Sequence, residues 1–483
     1  MRKISNPSGR RPRGAALRHA RTLTMVAASI AFSGCATLSD DGGLGPVRQA
    51  AQQHLAKEVL VIKSDADEDR VAARVDELLA QPLTADGAVQ IALLNNRSLQ
   101  ASFQELGIAE AEMVRASRLP NPGISIARLR RDHEREIERT FSFDLAHLIA
   151  MPLTRQLEAR RFAATQRSVA MEMLSVAADA RKAYYTAVSA EQTARYMRDV
   201  RATADAGAEL ARRMAQAGNW TKLQRAREHG FFAEAALNLA RAEQTRIATR
   251  ERLIRLLGLW GTQTGFKLPE RLPDLPAEPH DRPDIEQLAM GQRLDVQAAK
   301  LQVEATARNL GLTRATRFIN VLELGYLRNG SNEAPRQTGY EVSVEIPIFD
   351  WGDARAARSE ATYMQSVQRA AQIAIEARSE VREAYQGWRS AYDIARHYRD
   401  DIVPTARRVS EENLLRYNGM FIGVFELLAD ARAQIAAVNA AIEAQRDFWL
   451  AQADLDMALI GKPSMTAAGR SATVSGTQGA AAH

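Results

Sequence analysis

The 483-residue sequence contains one cysteine, which excludes an internal disulfide framework, a cysteine-based zinc cluster and a thiol pair. Aromatic residues are only 6% and prolines only 16, while Ala, Arg, Glu, Gln and Leu dominate. That balance suits long helices and argues against a β-sandwich or a nucleotide-binding α/β fold. Beyond the N-terminus no apolar run reaches the roughly 18 residues of a spanning helix. A β-type membrane span escapes that test. The eight histidines (19, 54, 133, 147, 229, 280, 397 and 483) have no metal-ligand spacing, and with the 13 methionines they form no metal relay. No Gly-rich phosphate loop follows a strand, and no Ser or Cys nucleophile motif occurs. The expectation is a non-enzyme without catalytic residues, cofactor or metal site.

Acidic residues are missing from positions 1–34, which hold Arg2, Lys3, Arg10, Arg11, Arg13, Arg18 and Arg21. The formal charge of +6 less these seven leaves −1, so the basicity gives no reason to expect a nucleic-acid partner. After the basic stretch come the apolar run Leu23–Phe32 and then Ser33-Gly34-Cys35, the order of a signal peptide. Cys35 at its end resembles the acylated cysteine of a bacterial lipobox, with Phe32 where Leu is usual; ordinary cleavage is the alternative. Ala36, in place of Asp, favours outer-membrane sorting by the same resemblance. Residues 35–81 are then expected to be a lipidated tether, beginning with the polar, Gly-rich stretch from Thr37 to Gly45.

The rest of the chain repeats itself. Asn96-Arg97-Ser98-Leu99-Gln100-Ala101 lines up with Arg293-Leu294-Asp295-Val296-Gln297-Ala298, and both open helical stretches ending near Arg118 and Thr316. At the same spacing Phe143 and Leu145 fall on Tyr340 and Val342, Ile149 on Ile346, and Ala164-Thr165 on Ala361-Thr362, while Phe141 falls on the polar Thr338. Leu256-Leu257-Gly258 later matches Leu459-Ile460-Gly461, six residues out of step. Two halves are expected, 82–281 and 282–462, each with a helix, two strands, a long helix, a turn and a helix; 463–483 reads as a disordered tail.

Apolar residues recur at helical spacing through Ala163, Val169, Met173, Val176, Ala180, Tyr184, Ala187 and Ala190. A helix from Thr154 to Gln216 would be roughly 95 Å long, more than a compact domain contains. Its counterpart runs from Asp353 to about Tyr417, with a kink expected at Pro404. Gly-containing turns close both: Ala217–Thr221 and Asn418–Gly423.

The strands have a different period. Tyr340, Val342, Val344, Ile346 and Ile348 alternate with Glu341, Ser343 and Glu345, and Phe141, Phe143 and Leu145 with Ser142 and Asp144. Weaker segments, Gly123–Leu129 and Asn320–Leu327, precede them, and 130–139 and 328–338 are expected as charged or Gly-rich loops. Such alternation fits a sheet on a soluble core or a transmembrane barrel wall. Helices this long cannot cover four strands, and four strands cannot close a barrel, so a barrel requires several chains.

The run Pro82-Leu83-Thr84-Ala85 through Leu94-Asn95-Asn96 resembles the opening helix of the TolC-type outer-membrane efflux proteins. So do Arg118-Leu119-Pro120-Asn121-Pro122, Ile346-Pro347-Ile348-Phe349-Asp350-Trp351-Gly352-Asp353-Ala354-Arg355, and Arg416-Tyr417 with Phe425-Glu426-Leu427-Leu428. In order on a duplicated frame, these motifs cover about residues 82 to 462. The resemblance implies a mainly α fold with a β-barrel part. Three chains would form one 12-stranded transmembrane β-barrel and a long α-helical periplasmic tunnel. It implies a passive outer-membrane conduit for an inner-membrane transporter and its periplasmic adaptor. A soluble periplasmic coiled-coil scaffold lipoprotein without a pore is the rival.

On the barrel expectation Ser142, Asp144, Glu341, Ser343 and Glu345 line the lumen, while Phe141, Phe143, Tyr340, Val342 and Val344 meet outer-membrane lipid. By resemblance, Glu426 occupies the first acidic position of a periplasmic gate; Ala429 departs from the second, with Asp430 adjacent. A solvated helix face is the other reading of both acids. Gly218, Trp220, Phe421 and Ile422 are candidates for adaptor contact at the tips, or else pack one turn on the other. The exported substrate, the pump and the resting state are not legible in the sequence.

Overall fold

The computed structural model describes residues 37–279, 284–317, 321–346 and 348–462. The signal segment, Cys35 and the 463–483 tail lie outside the described residues. The elements run α1 (Gly45–Leu55), α2 (Asp65–Leu79), α3 (Ala85–Asn95), α4 (Arg97–Ala116), β1 (Gly123–Arg131), β2 (Glu134–Asp144), α5 (Leu145–Gln216) and α6 (Lys222–Leu257). They continue with α7 (Ile285–Gln292), α8 (Leu294–Thr316), β3 (Leu322–Ser331), β4 (Gln337–Val344), α9 (Asp353–His397), α10 (Val403–Asn418) and α11 (Val424–Ala458). A helix pair, a hairpin, a long helix, a turn and a returning helix thus occur twice in the same order. Two units divide the chain: one with the sheet and residues 108–162 and 305–363, the other with residues 43–107, 163–304 and 364–462.

In the helical unit the periodic apolar residues pack as expected: Val169, Met173, Ala180, Tyr184, Ala187 and Ala190 of α5 are buried, while Ala163 and Val176 are half-buried. The expected tether is partly folded. Leu44, Val47, Ala50 and Ala51 join a cluster with Val89, Leu93, Leu99 and Phe103, and Val71 and Val75 of α2 join a second one with Ile91, Tyr184 and Leu257. In Asp65–Leu79 only Val71 and Val75 are buried, so the segment reads as polar along the chain.

The second long helix is interrupted by a π-helical turn at Tyr398–Ile402 just ahead of Pro404. Pro404 has no N–H for the carbonyl four residues back and its ring crowds that group, so the wider turn absorbs the defect. In the first half α5 begins at Leu145, nine residues before the expected start, and carries Pro152 in its second turn. Leu145 and Ile149 are therefore helical, whereas Ile346 lies beyond β4; the likeness between halves lapses there.

The Asn pair has a structural purpose. The last four carbonyls of a helix lack intrahelical donors. At the end of α6 the Gly258 N–H serves Ile254 and Arg255, Asn96 Nδ2 donates to the Leu256 carbonyl at 2.8 Å, and Asn95 Nδ2 donates to Leu257 at 3.1 Å. Asn96 Oδ1 also accepts from the Leu99 N–H at 3.0 Å, capping α4. Gly258 has φ +67°, and a Cβ there would stand 2.5 Å from the Asn95 carbonyl oxygen, so glycine is required.

Arg293 does the same work in the second half. Its backbone (φ −60°, ψ 122°) matches that of Asn96 (−67°, 115°), each at the joint of two helices. Arg293 Nη1 donates to the Ala458 carbonyl at 3.1 Å at the end of α11, and the Leu294 N–H to Ile460 at 2.7 Å. Its guanidinium is 1% exposed and lies 2.6 Å from both Asp295 and Glu380. Burial opposes the charge, but these hydrogen bonds and attractions outweigh it and raise the Arg293 pKa. We expect Arg293→Leu to cost about 3–5 kcal/mol by stranding the two carboxylates, and Asn96→Ala about 1–3 kcal/mol by stranding a carbonyl. Thermal unfolding of the purified variants measures both.

The sheet is antiparallel in the order β1-β2-β3-β4, leaving one edge of β1 and one of β4 unpaired. Its hairpins reach farther than the alternation suggested. Segment 130–139 is strand except for the turn at Asp132 and His133, and β3 runs through Ser331. In 134–139 Glu and Arg alternate on opposite faces around the single apolar Ile137, so charge falls on both faces and mimics a loop. At the other end β4 stops at Val344, short of Ile346 and Ile348.

Candidate functional site

Register assigns each strand residue to a face, because directly opposed antiparallel residues point the same way. One face carries, row by row, Leu322 and Val344; Phe143, Leu324 and Val342; and Ile124, Phe141, Tyr326 and Tyr340. Tyr326 and Tyr340 stand with ring centroids 5.6 Å apart. The opposite face carries Asp144, Glu323 and Ser343; Gly123, Ser142, Gly325 and Glu341; Ser125, Thr140, Leu327 and Gly339; Ala127, Glu138, Asn329 and Gln337; and Leu129, Glu136 and Ser331. The acids of the strands are thus confined to this second face and the aromatic side chains to the first, although Leu129 and Leu327 share the acidic face.

Both faces are open. Tyr340 is 81% exposed, Ile124 71% and Val342 63%, and Glu341 and Ser343 are exposed too. Among the described residues, the four core clusters draw nothing from the sheet. An exposed apolar face on a sheet with two free edges is the pattern of a surface made for contact with a partner or a membrane.

The expected strand residues take the following places. Phe141, Phe143, Tyr340, Val342 and Val344 share the apolar face, and Ser142, Asp144, Glu341 and Ser343 the polar one. Glu345 is one residue past β4, its N–H bonded to the Val321 carbonyl at 3.3 Å. Asp144 has a structural task as well: Oδ1 accepts the His147 N–H at 2.9 Å and caps α5. Ile124, Leu324 and Tyr326, and the acids Glu136, Glu138 and Glu323, escaped sequence reasoning. Glu136 and Glu138 lie in 130–139, which was expected as a loop, whereas the other four lie in the weaker expected strands.

In the helical unit the two turns lie at one end. Tyr185 of α5 stacks on Trp449 of α11 at 5.2 Å, while Ile435 packs beside Met197, Val200 and Ala204, so α11 runs antiparallel to α5 and parallel to α6. The Arg432 guanidinium lies 4.4 Å from the Phe231 ring, near the beginnings of both α11 and α6. Gly218 has φ +76° in the first turn and Trp220 is half-buried. In the second, Phe421 is 84% exposed and Ile422 half-buried; Met420, with φ +63°, is equally exposed and was not anticipated. Glu426 is exposed in the first turn of α11, where the helix dipole favours an acid. Asp430 is half-buried and accepts a hydrogen bond from Asn413 of α10.

Glu228 of α6 was also unforeseen, since its sequence context suggests a solvated helix face. It is 2% exposed, close to Gly207 of α5. Burial raises its pKa, against a smaller lowering by Arg432. Folded Glu228 therefore holds its proton more tightly than the unfolded chain does, and stability falls as pH rises from the usual glutamate range through the raised native value. We expect Glu228→Gln to remove that loss. The difference in melting temperature between variant and wild type, followed against pH, should grow in the variant's favour toward neutrality; a constant difference would contradict the assignment.

Among the described residues no group of three or more His, Cys, Asp or Glu could hold a metal ion, and no helix is long and apolar enough to cross a membrane. No protein-family model matches the chain, and no curated protein matches it. Solved structures do. The CmeC outer-membrane channel of Campylobacter jejuni is 16% identical, with 78% of this chain and 85% of that one covered and a TM-score of 0.69. For the outer-membrane protein VceC of Vibrio cholerae the values are 14%, 78%, 96% and 0.67. For the open state of the MtrE outer-membrane channel of Neisseria gonorrhoeae they are 18%, 78%, 90% and 0.65. The chain shares the fold of these proteins.

Proposed function

We propose that this protein is a TolC-type outer-membrane channel subunit, a passive conduit to the outside for solutes delivered by an inner-membrane transporter and a periplasmic adaptor. One observation carries the proposal: a sheet with an exposed apolar face, an exposed acidic face, two free edges and no core. Its strands are 9, 11, 10 and 8 residues long, close to the roughly 9–11 that a tilted strand needs to cross a bilayer. Lipid would satisfy the face of Phe141, Phe143, Tyr340, Val342 and Val344, and water the face of Ser142, Glu341 and Ser343. The free edges forbid a lone chain in lipid, whereas three chains pairing β1 to β4 would make a closed 12-stranded homotrimeric barrel. The fold shared with outer-membrane channels supports the same conclusion. The acids would favour cations in the lumen by simple attraction.

Acylation at Cys35 would anchor each chain to the same membrane. Glu426, exposed near the turns, is proposed as a ring-forming acid at the periplasmic constriction. Asp430 is its weaker companion, since Asn413 already holds it. The proposed adaptor contacts are Gly218, Trp220, Phe421 and Ile422, to which the exposed Met420 is added.

The purified protein should require detergent, migrate as a trimer and conduct ions in planar bilayers. A monodisperse monomer without detergent would instead support the pore-free scaffold. Cys35→Ala should abolish acyl labelling in cells. Glu426→Ala should raise single-channel conductance, and an unchanged value would remove Glu426 from the gate.

A further inference from the structure

The apolar face of the sheet changes character toward the hairpin turns. Beyond the Ile124–Phe141–Tyr326–Tyr340 row, the same register places Ile126, Arg139, Arg328 and Thr338 on that face, then Arg128 and Ile137, then Arg130 and Arg135. Five arginines and no acid occupy it. The acids of the strands, Glu134, Glu136, Glu138, Asp144, Glu323 and Glu341, are all on the other face.

Two features separate this cluster from an ordinary solvated edge. Arg139 is directly opposed to Arg328, and Arg130 to Arg135. Like charges opposed across strands are destabilising. All five side chains are exposed, and among the described residues none has a carboxylate or a hydrogen-bond partner. The arginines also begin where the apolar rows end, next to the tyrosine pair, the order found at a membrane interface.

We propose that Arg128, Arg130, Arg135, Arg139 and Arg328 form a binding band for the phosphate groups of a phosphorylated lipid in the leaflet at the hairpin end. The proposal rests on the barrel assignment, which makes this face the lipid-facing one. Guanidinium forks pair with phosphate oxygens in a bidentate manner. Bound phosphate would cancel the repulsion within both arginine pairs, and a trimer would present the band three times. Acyl chains of the same lipid would lie along the apolar rows beneath.

The test uses the full-length protein in neutral detergent, loaded with bisphosphorylated lipid A or with phosphatidylcholine, and native mass spectrometry to count retained lipid. Wild type should keep lipid A selectively at low salt and lose it at high salt. Arg139→Gln/Arg328→Gln should weaken retention about 30-fold, from roughly fivefold per arginine near an anionic surface. Arg139→Lys/Arg328→Lys should restore most of the loss, and Glu136→Gln/Glu138→Gln, on the other face, should leave retention intact. All variants should conduct in neutral bilayers as wild type does. Equal retention by wild type and the Gln variant, with conductance preserved, would overturn the lipid band and leave the channel standing. Displacement by inorganic phosphate would reassign the cluster to a free anion and overturn it too. A wild type that does not conduct would overturn the channel and the band together. Arg128→Gln, which disturbs no opposed pair, serves if the double variant does not fold, with a fivefold loss expected.

Discussion

The helical unit depends on how its returning helices end. A helix stops with carbonyls that nothing within it can satisfy, and burying them unpaired is costly. Asn95 and Asn96 supply the donors at the end of α6, and Arg293 supplies one at the end of α11. Each of these residues stands at or beside the joint between two helices, so a single local kink fixes where the strand-bearing helix leaves and where the returning helix finishes. The two halves solve the same problem differently: amide donors need no counter-ion, whereas a buried guanidinium needs Asp295 and Glu380.

The sheet obeys the opposite constraint. Its acids lie on one face and its aromatic residues on the other, yet among the described residues no core cluster draws on either face. A folded domain places its apolar surface against itself; on the proposed function this sheet would keep it for lipid, and its unpaired edges for other strands. On the proposed barrel, the stability of the sheet would be a property of an assembly in lipid, while the helical unit has core clusters of its own.

Much of this was legible in the residues. The order of elements, both Gly turns and the buried stripe of α5 follow from period and punctuation, and so does the division of Phe141, Phe143, Tyr340 and Val342 from Ser142, Glu341 and Ser343. The hairpin ends were not legible, because alternating Arg and Glu put charge on both faces and erase the apolar signal. The folded part of 44–79 was hidden by its sparse apolar residues. Glu228 gave no sign of burial, since neighbours along a helix do not reveal what another helix will cover.

Sequence alone determined the repeat, the helical period, the two-residue alternation and the isolated cysteine, all of which are local or depend on spacing along the chain. Tertiary structure decided register, and through register which charges meet. Arg139 is 189 positions from Arg328 in the sequence, yet they are opposed across two strands. Only the pairing of strands could collect five arginines on one face and six acids on the other, because a shift by a single residue would exchange the faces.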